Sequence, residues 1–405
     1  MSFTIVTPTK LCGARSPIYV SMKTDDVTNF QNLKDITLNI KVWSTTYSSV
    51  PTSNVQTLTR DQFVAGTNGL KQFCVFDIAP IVAEHHLKTA PTDGNTPAIS
   101  PDSTVLWCRV DFNVNYFISG NENVQNATGS STIFPVSMGY NLFDDAAFKT
   151  YPSSFLTSAL QSNAGRVYVK ESGDNEMIGI YMGAVGSADF TSVAFAIAGG
   201  THTIDLTAFR NPTEPEGSIL RIPIGVTNLS AYLTSVGYSG TLPSSTAHSA
   251  RTYTLTIGSD VLTMEKVCEP KYDIRRLRFI NRFGAWDYLY GFKASSSEFQ
   301  VTRQSFQKAT GSVANTGVFT YDKDVRQDYN VNALTSTTIN TGFVDESYKE
   351  VIKDLLMSES VYIDVDGTDM PVKVVDTTQS LQKSINDKMI NYTIQVQEAF
   401  TERYV

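Results

Sequence analysis

The chain has 405 residues, a formal net charge of −8 and a pI near 5.1, with 41% hydrophobic and 18% charged residues. A length of this order allows roughly two to four domains, each with a core of useful size. The acidic balance excludes a sequence-independent phosphate binder, which needs basic surface to neutralise phosphates, and leaves room only for a local basic lumen.

Charge below the roughly 25% of a typical soluble protein is made up by Ser, Thr, Asn and Gln. That composition suits a protein that buries polar surface against other subunits, and stable secreted β-domains share it. Cys12, Cys74, Cys108 and Cys268 include no C-x-x-C pair and are too sparse for a disulfide scaffold, so buried free thiols are expected, fitting a reducing assembly compartment. The start, Met-Ser-Phe-Thr-Ile-Val-Thr-Pro, has no basic stretch followed by an apolar run, so no signal peptide is expected. The longest apolar candidate, Val193 to Ala198, is strand-sized, so no membrane span is expected.

The pattern predicts three domains. In residues 1–125, Ile36, Leu38, Ile40 and Val42 alternate with polar residues, the period of a half-buried strand. Phe73–Ile78 is a second strand. Ala79–Leu87 reads as one or two helical turns, with Pro80 in the first turn, where its missing N–H costs nothing. Thr89–Asp102 reads as an exposed loop, and Val105–Ile118 as a long strand. Together these predict a β-sandwich with one short helix.

Residues 126–265 form the second predicted domain. The Ser-, Gly- and Asn-rich stretch 119–132 reads as a boundary or long loop. Strands are expected at Arg166–Lys170, Met177–Met182, Ser192–Ile197, Ile219–Ile224 and Tyr253–Ile257, with turns at Gly183–Gly186 and Ser235–Ser249. This spacing, without long helices, predicts a β-sandwich or barrel.

In residues 266–405, Leu277–Ile280 and Trp286–Phe292 flank Asn281-Arg-Phe-Gly284 and predict a hairpin whose turn uses Gly284. Tyr348, Val351, Ile352, Leu355 and Leu356 make one apolar stripe, predicting a helix over about 346–357 capped by Asp345. Glu350 and Lys353 are spaced for a weak surface pair. Val361–Asp364 and Val372–Val375 flank Asp366-Gly367 as a second hairpin. Ile390, Tyr392, Ile394 and Val396 alternate with polar residues as the cleanest strand. The fold class expected is mainly β: successive β-sandwich or barrel-like domains, with a C-terminal α+β domain containing one amphipathic helix.

No Walker A sequence, G-x-G-x-x-G or G-x-S-x-G motif is present. His85 and His86 are adjacent, point about 100° apart on a helix and read as a solvated helix end. Asp364-Val-Asp-Gly-Thr-Asp369 invites a calcium reading, but Gly367 falls fourth and Val375 twelfth, where an EF-hand needs Gly sixth and Glu twelfth; a hairpin turn is expected instead. Asp144/Asp145 and Asp322/Asp324 are acidic pairs with nothing to place them across a glycosidase cleft. No enzyme, cofactor or metal site is expected. Arg275, Arg276, Arg278 and Arg282 form the one basic cluster. The reading favoured for it is a polar strand face paired with acidic neighbours; the alternative is a basic rim at a subunit interface or around a DNA-passing lumen. Phe283, Trp286, Tyr288 and Tyr290 are expected mostly in the core.

Three ordered blocks carry a resemblance. They are Glu269-Pro-Lys-Tyr-Asp273 running on through Leu277-Arg-Phe-Ile-Asn-Arg-Phe-Gly-Ala-Trp-Asp287, then Asn340-Thr-Gly-Phe-Val-Asp-Glu-Ser-Tyr348, then Ile385-Asn-Asp-Lys-Met-Ile-Asn-Tyr-Thr-Ile394. This C-terminal region resembles tail-associated structural proteins of tailed bacteriophages, including crAss-like and other phages of Bacteroidetes. The resemblance implies a virion role: a ring or adaptor subunit of the tail, neck or baseplate, built in the host bacterial cytoplasm. The partners implied are copies of itself in a symmetric ring and other tail proteins. A receptor- or glycan-binding tail module is the alternative, and specific nucleic-acid binding is not expected.

Overall fold

The architecture was read from a computed structural model, which describes residues 3–8, 11–24, 30–44, 47–60, 71–86, 99–101, 105–118, 121, 123–139, 155–161, 164–173, 175–182, 191–209, 218–269, 271–307, 326–365, 367–376, 389–400 and 402–403. Strands hold 58% of the described structure and helices 12%, against roughly a third helix in a typical soluble protein, so the fold is mainly β. The chain divides into two compact units. The first comprises Met1–Cys268, Phe279–Asp287 and Ser347–Glu359; the second comprises Glu269–Arg278, Tyr288–Glu346 and Ser360–Val405.

In the first unit, Phe30–Trp43 pairs antiparallel with Leu106–Ile118, setting Ile36 opposite Val114, Leu38 opposite Phe112 and Ile40 opposite Val110. All six are buried, because the two-residue period puts each set on one face. The opposite face is polar: Lys41 and Arg109 both reach Asp111 at 2.9 Å. The stretch 119–132, expected as a boundary or loop, contains a strand, Gln125–Ser130, on the edge of Leu106–Ile118. Its only apolar side chain is the Ala127 methyl, so its pairing rests on the ladder and on amide contacts such as Asn126 Nδ2 to Asn115 Oδ1 at 2.8 Å.

The expected division at 125/126 does not match these units. Ser100–Pro101, from the first predicted domain, pairs with Ser218–Pro223 from the second. A six-stranded sheet follows, in the order Leu160–Gln161, Ala164–Lys170, Asp260–Val267, Thr252–Ile257, Ser192–Ile197, Gly200–Asp205. Of the turns expected in this region, Gly183–Gly186 lies outside the described residues.

Helix α1 (Ala79–Glu84) carries Pro80 in its first turn, as its sequence predicts. Its end is not wholly solvated: His85 is exposed but His86 is buried. Helix α2 (Val226–Ser235) was not anticipated. Thr227, Ala231, Thr234 and Ser235 line its one exposed face, and its buried polar side chains are bonded: Ser230 Oγ donates to the Val226 carbonyl at 2.6 Å and Asn228 Nδ2 to the Glu176 carbonyl at 2.9 Å. Helix α3 (Lys349–Met357) buries Val351, Ile352 and Leu355, with Tyr348 packed edge-on against Tyr168 at 5.3 Å. Asp345 does not cap it. The preceding strand runs through Asp345, a 3₁₀ turn covers Glu346–Tyr348, and Tyr348 stands at the N-cap without a side-chain bond.

Of the C-terminal region, Phe279–Asp287 and Ser347–Glu359 belong to the first unit. Both predicted hairpins form. Asn281 N–H bonds the Ala285 carbonyl at 3.0 Å across the first, and Gly284 takes φ +80°. In the second, Gly367 takes φ +83° and donates its N–H to Asp364 Oδ1 at 2.8 Å. An eight-stranded sheet runs in the order Trp286–Gly291, Arg275–Ile280, Val361–Val365, Thr368–Val374, Met389–Glu398, Arg326–Asp345, Ser296–Gln307, with Glu402–Arg403 also on Arg326–Asp345. Ile390, Tyr392, Ile394 and Val396 form its buried stripe.

Candidate functional site

The basic cluster is split by the fold. In the second unit, Arg276 meets Asp369 at 3.1 Å and Asp364 at 3.4 Å, and Arg278 meets Asp369 at 2.5 Å. Arg276 and Arg278 share a strand face because they are two residues apart. The carboxylates of the calcium-like loop are therefore arginine partners flanking a tight turn; Asp366 lies outside the described residues. Arg275 projects to the opposite face and pairs with no described group. Arg282 belongs to the first unit, where it meets Asp354 at 2.8 Å and Glu350 at 3.0 Å, with Lys353 on Glu350 at 2.7 Å. Burial alone would lower the Arg282 pKa; the bonds to Asp354 and Glu350 outweigh it and hold the pKa above its ordinary value.

Asp354 also accepts the Arg282 backbone N–H at 3.1 Å and the Ser158 hydroxyl. Beside it, Asp287 is enclosed. Its Oδ2 accepts the Thr157 hydroxyl at 2.9 Å, the Ser158 N–H at 3.1 Å and the Asn281 amide at 3.3 Å. Loss of hydration raises its pKa to about 6; these three bonds pull the other way, and the Asp354 charge adds to the rise. Asn281 Nδ2 further ties the Leu156 carbonyl at 2.8 Å. The cluster fastens the hairpin turn and α3 to the segment 156–158.

Among the described residues no group of three or more His, Cys, Asp or Glu side chains is placed to hold a metal. Asp144/Asp145 and Asp322/Asp324 lie outside the described residues. Cys12 and Cys108 are buried, with burial raising both thiol pKa values, while Cys268 is exposed. Trp43, Trp107 and Trp286 are buried, as are Tyr288 and Tyr290, and Phe283 is partly buried. No helix of the described residues is long and apolar enough to cross a membrane.

The feature that sequence reading did not single out is the strand Ser296–Gln307. Among the described residues it terminates the eight-stranded sheet, pairs on its inner side with Arg326–Thr338, and exposes all its residues. Phe299 is 56% exposed, Val301 41% and Phe306 44%. The partner strand meets Met389–Glu398 only from Ser336 onward and Glu402–Arg403 at Asn332 and Ala333, so the far end is a two-stranded ribbon among the described residues. Apolar residues recurring between polar ones, Phe299-Gln-Val-Thr, are the signal that could have marked it.

No family model matches the chain, and no curated protein matches it. Among solved structures, one similar chain is a Ca²⁺-stabilized adhesin that helps an Antarctic bacterium reach out and bind ice. The two are 12% identical, with 98% of this chain and 73% of that chain covered and a TM-score of 0.21. A likeness at that score carries no argument about this protein.

Proposed function

We propose that this chain is a virion structural protein of a tailed bacteriophage, a ring or adaptor subunit of the tail, neck or baseplate. It works by assembling with copies of itself and with neighbouring tail proteins, and it turns over no substrate. The observation that supports this most is the edge strand Ser296–Gln307. Edge strands carry unpaired backbone donors and acceptors, and monomeric proteins blunt them with charge, Pro or short length. This edge is long, has no Pro, bears only Glu298 and Arg303 as charges, and exposes Phe299 and Val301. Such an edge fits strand addition by a partner. The resemblance of the three C-terminal blocks to phage tail proteins directs the reading to a virion.

The test uses a tagged chain supplied during infection. Wild-type chain is expected in purified particles, and the Phe299→Lys/Val301→Lys variant is expected to be excluded at unchanged melting temperature. Equal incorporation of both would show that this edge is not the assembly surface.

A further inference from the structure

In the second unit the curved sheet brings Arg275 and Ser297, from strands that are not neighbours, to the wall of one cavity of about 130 Å³. Its floor is aliphatic, with Ile363, Val372 and Val396 all buried. Its rim carries Arg275, Glu398 and Thr335. Arg275 Nε is buried without a hydrogen-bond partner, and neither Arg275 nor Glu398 makes an ion pair with a described residue. A cationic donor and an anionic acceptor thus stand unmatched above an apolar floor. An apolar cavity of about 150 Å³ accepts a benzene ring, so an aromatic side chain is of the right size.

The same unit displays a side chain of that kind. Across the ribbon, Gln304 faces Asn330 and Ser305 faces Asp328, so Tyr329 is opposite no residue. It is the extra residue of a β-bulge, a device that re-aims a side chain. Tyr329 is 65% exposed, and its ring touches solvent beside Phe306 at 6.0 Å between centroids. It cannot fill its own chain's cavity. Ser297 on the cavity wall and Ser305 beside the bulge lie on one strand, roughly 25 Å apart at ~3.3 Å per residue.

We propose that Tyr329 of one copy seats in this cavity of a second copy. Its ring lies on the aliphatic floor, and its hydroxyl donates to Glu398 and accepts from Arg275. The occupant is a second copy because the chain exposes both halves of the contact, and because a phenol supplies the donor and the acceptor that the rim lacks. The exposed edge Ser296–Gln307 runs between knob and cavity and is covered by the same contact. Knob and cavity are different patches, so the contact is heterologous, the type that closes into rings. The inference rests on the assembly reading above and specifies its partner and its anchor.

The experiment is sedimentation velocity on the full chain from micromolar to millimolar concentration. Three variants are compared with wild type: Tyr329→Ser removes the knob, Thr335→Trp blocks the cavity mouth, and Phe299→Lys/Val301→Lys charges the edge. Matching melting temperatures establish that each is folded. Wild type is expected to associate, and each of the first two alone to associate about 30-fold more weakly, the loss typical of a central aromatic anchor. Mixed in equal amounts, Tyr329→Ser and Thr335→Trp are expected to form dimers and nothing larger, since one open cavity and one knob exist per pair. Wild type that stays monomeric throughout overturns the inference. So does Tyr329→Ser that associates like wild type; if the edge variant then fails to associate, assembly through the edge stands and only this contact falls.

Discussion

Replacing Asp287 by Asn removes a charge that the fold holds at a cost. Asp287 is fully enclosed, and its pKa rises from 3.8 to about 6. The folded protein therefore holds the Asp287 proton more tightly than the unfolded chain does. The stability gained by protonation is complete below about pH 4 and is lost as pH rises through about 6. Above that, keeping the carboxylate charged costs ~3 kcal/mol, at 1.36 kcal/mol per pH unit. The isosteric amide keeps the useful geometry, because Thr157, Ser158 and Asn281 all donate to Oδ2 and an amide oxygen placed there accepts all three. Asp287→Asn is thus expected to melt higher than wild type at pH 7.5, by roughly 6 °C if each kcal/mol moves the midpoint about 2 °C. The gain is expected to shrink to near zero at pH 4. Differential scanning fluorimetry at closely spaced pH values measures it. A variant that melts lower than wild type at every pH would refute the reasoning, by showing that a second carboxylate oxygen is indispensable.

Other perturbations separate buried from exposed contacts. Arg278→Ala removes the shortest ion pair of Asp369, which is 16% exposed and keeps Arg276, and chemical denaturation is expected to show a loss of ~2 kcal/mol; Arg303→Ala, at a pair 64% exposed on the arginine side, is expected to cost under ~1 kcal/mol. Gly284→Ala meets φ +80° and drives a Cβ into the Gly139 nitrogen, so a loss above ~2 kcal/mol is expected, read as a lower midpoint in urea. Leu355→Asp buries a carboxylate in the α3 stripe and is expected to unfold the first unit, read by near-ultraviolet circular dichroism; a native spectrum would show the stripe to be solvent-facing.

Elements whose side chains alternate cleanly were legible in the sequence. The Ile36–Val42 and Ile390–Val396 stripes each lie on one buried face, because period two leaves no other assignment that hides them. The α3 stripe was legible for the same reason at period 3.6. Helix α2 was not, since Asn228 and Ser230 look like loop residues until the Glu176 and Val226 carbonyls are placed beside them. The strand Gln125–Ser130 escaped because its pairing comes from backbone and amide groups, which leave no apolar pattern. Of the basic cluster, spacing gave the shared face of Arg276 and Arg278, but their carboxylate partners lie some ninety positions away and depend on the hairpin Val361–Val374. The Tyr329 bulge and the cavity around Arg275 depend on register and sheet curvature, which one sequence does not carry.

Counting the chain in purified particles tests its assembly into a virion most directly. Quantitative mass spectrometry against the major capsid protein is expected to find it in every particle preparation, at a copy number matching one symmetric layer of the tail, neck or baseplate. Abundance in infected cells together with absence from intact particles would contradict it.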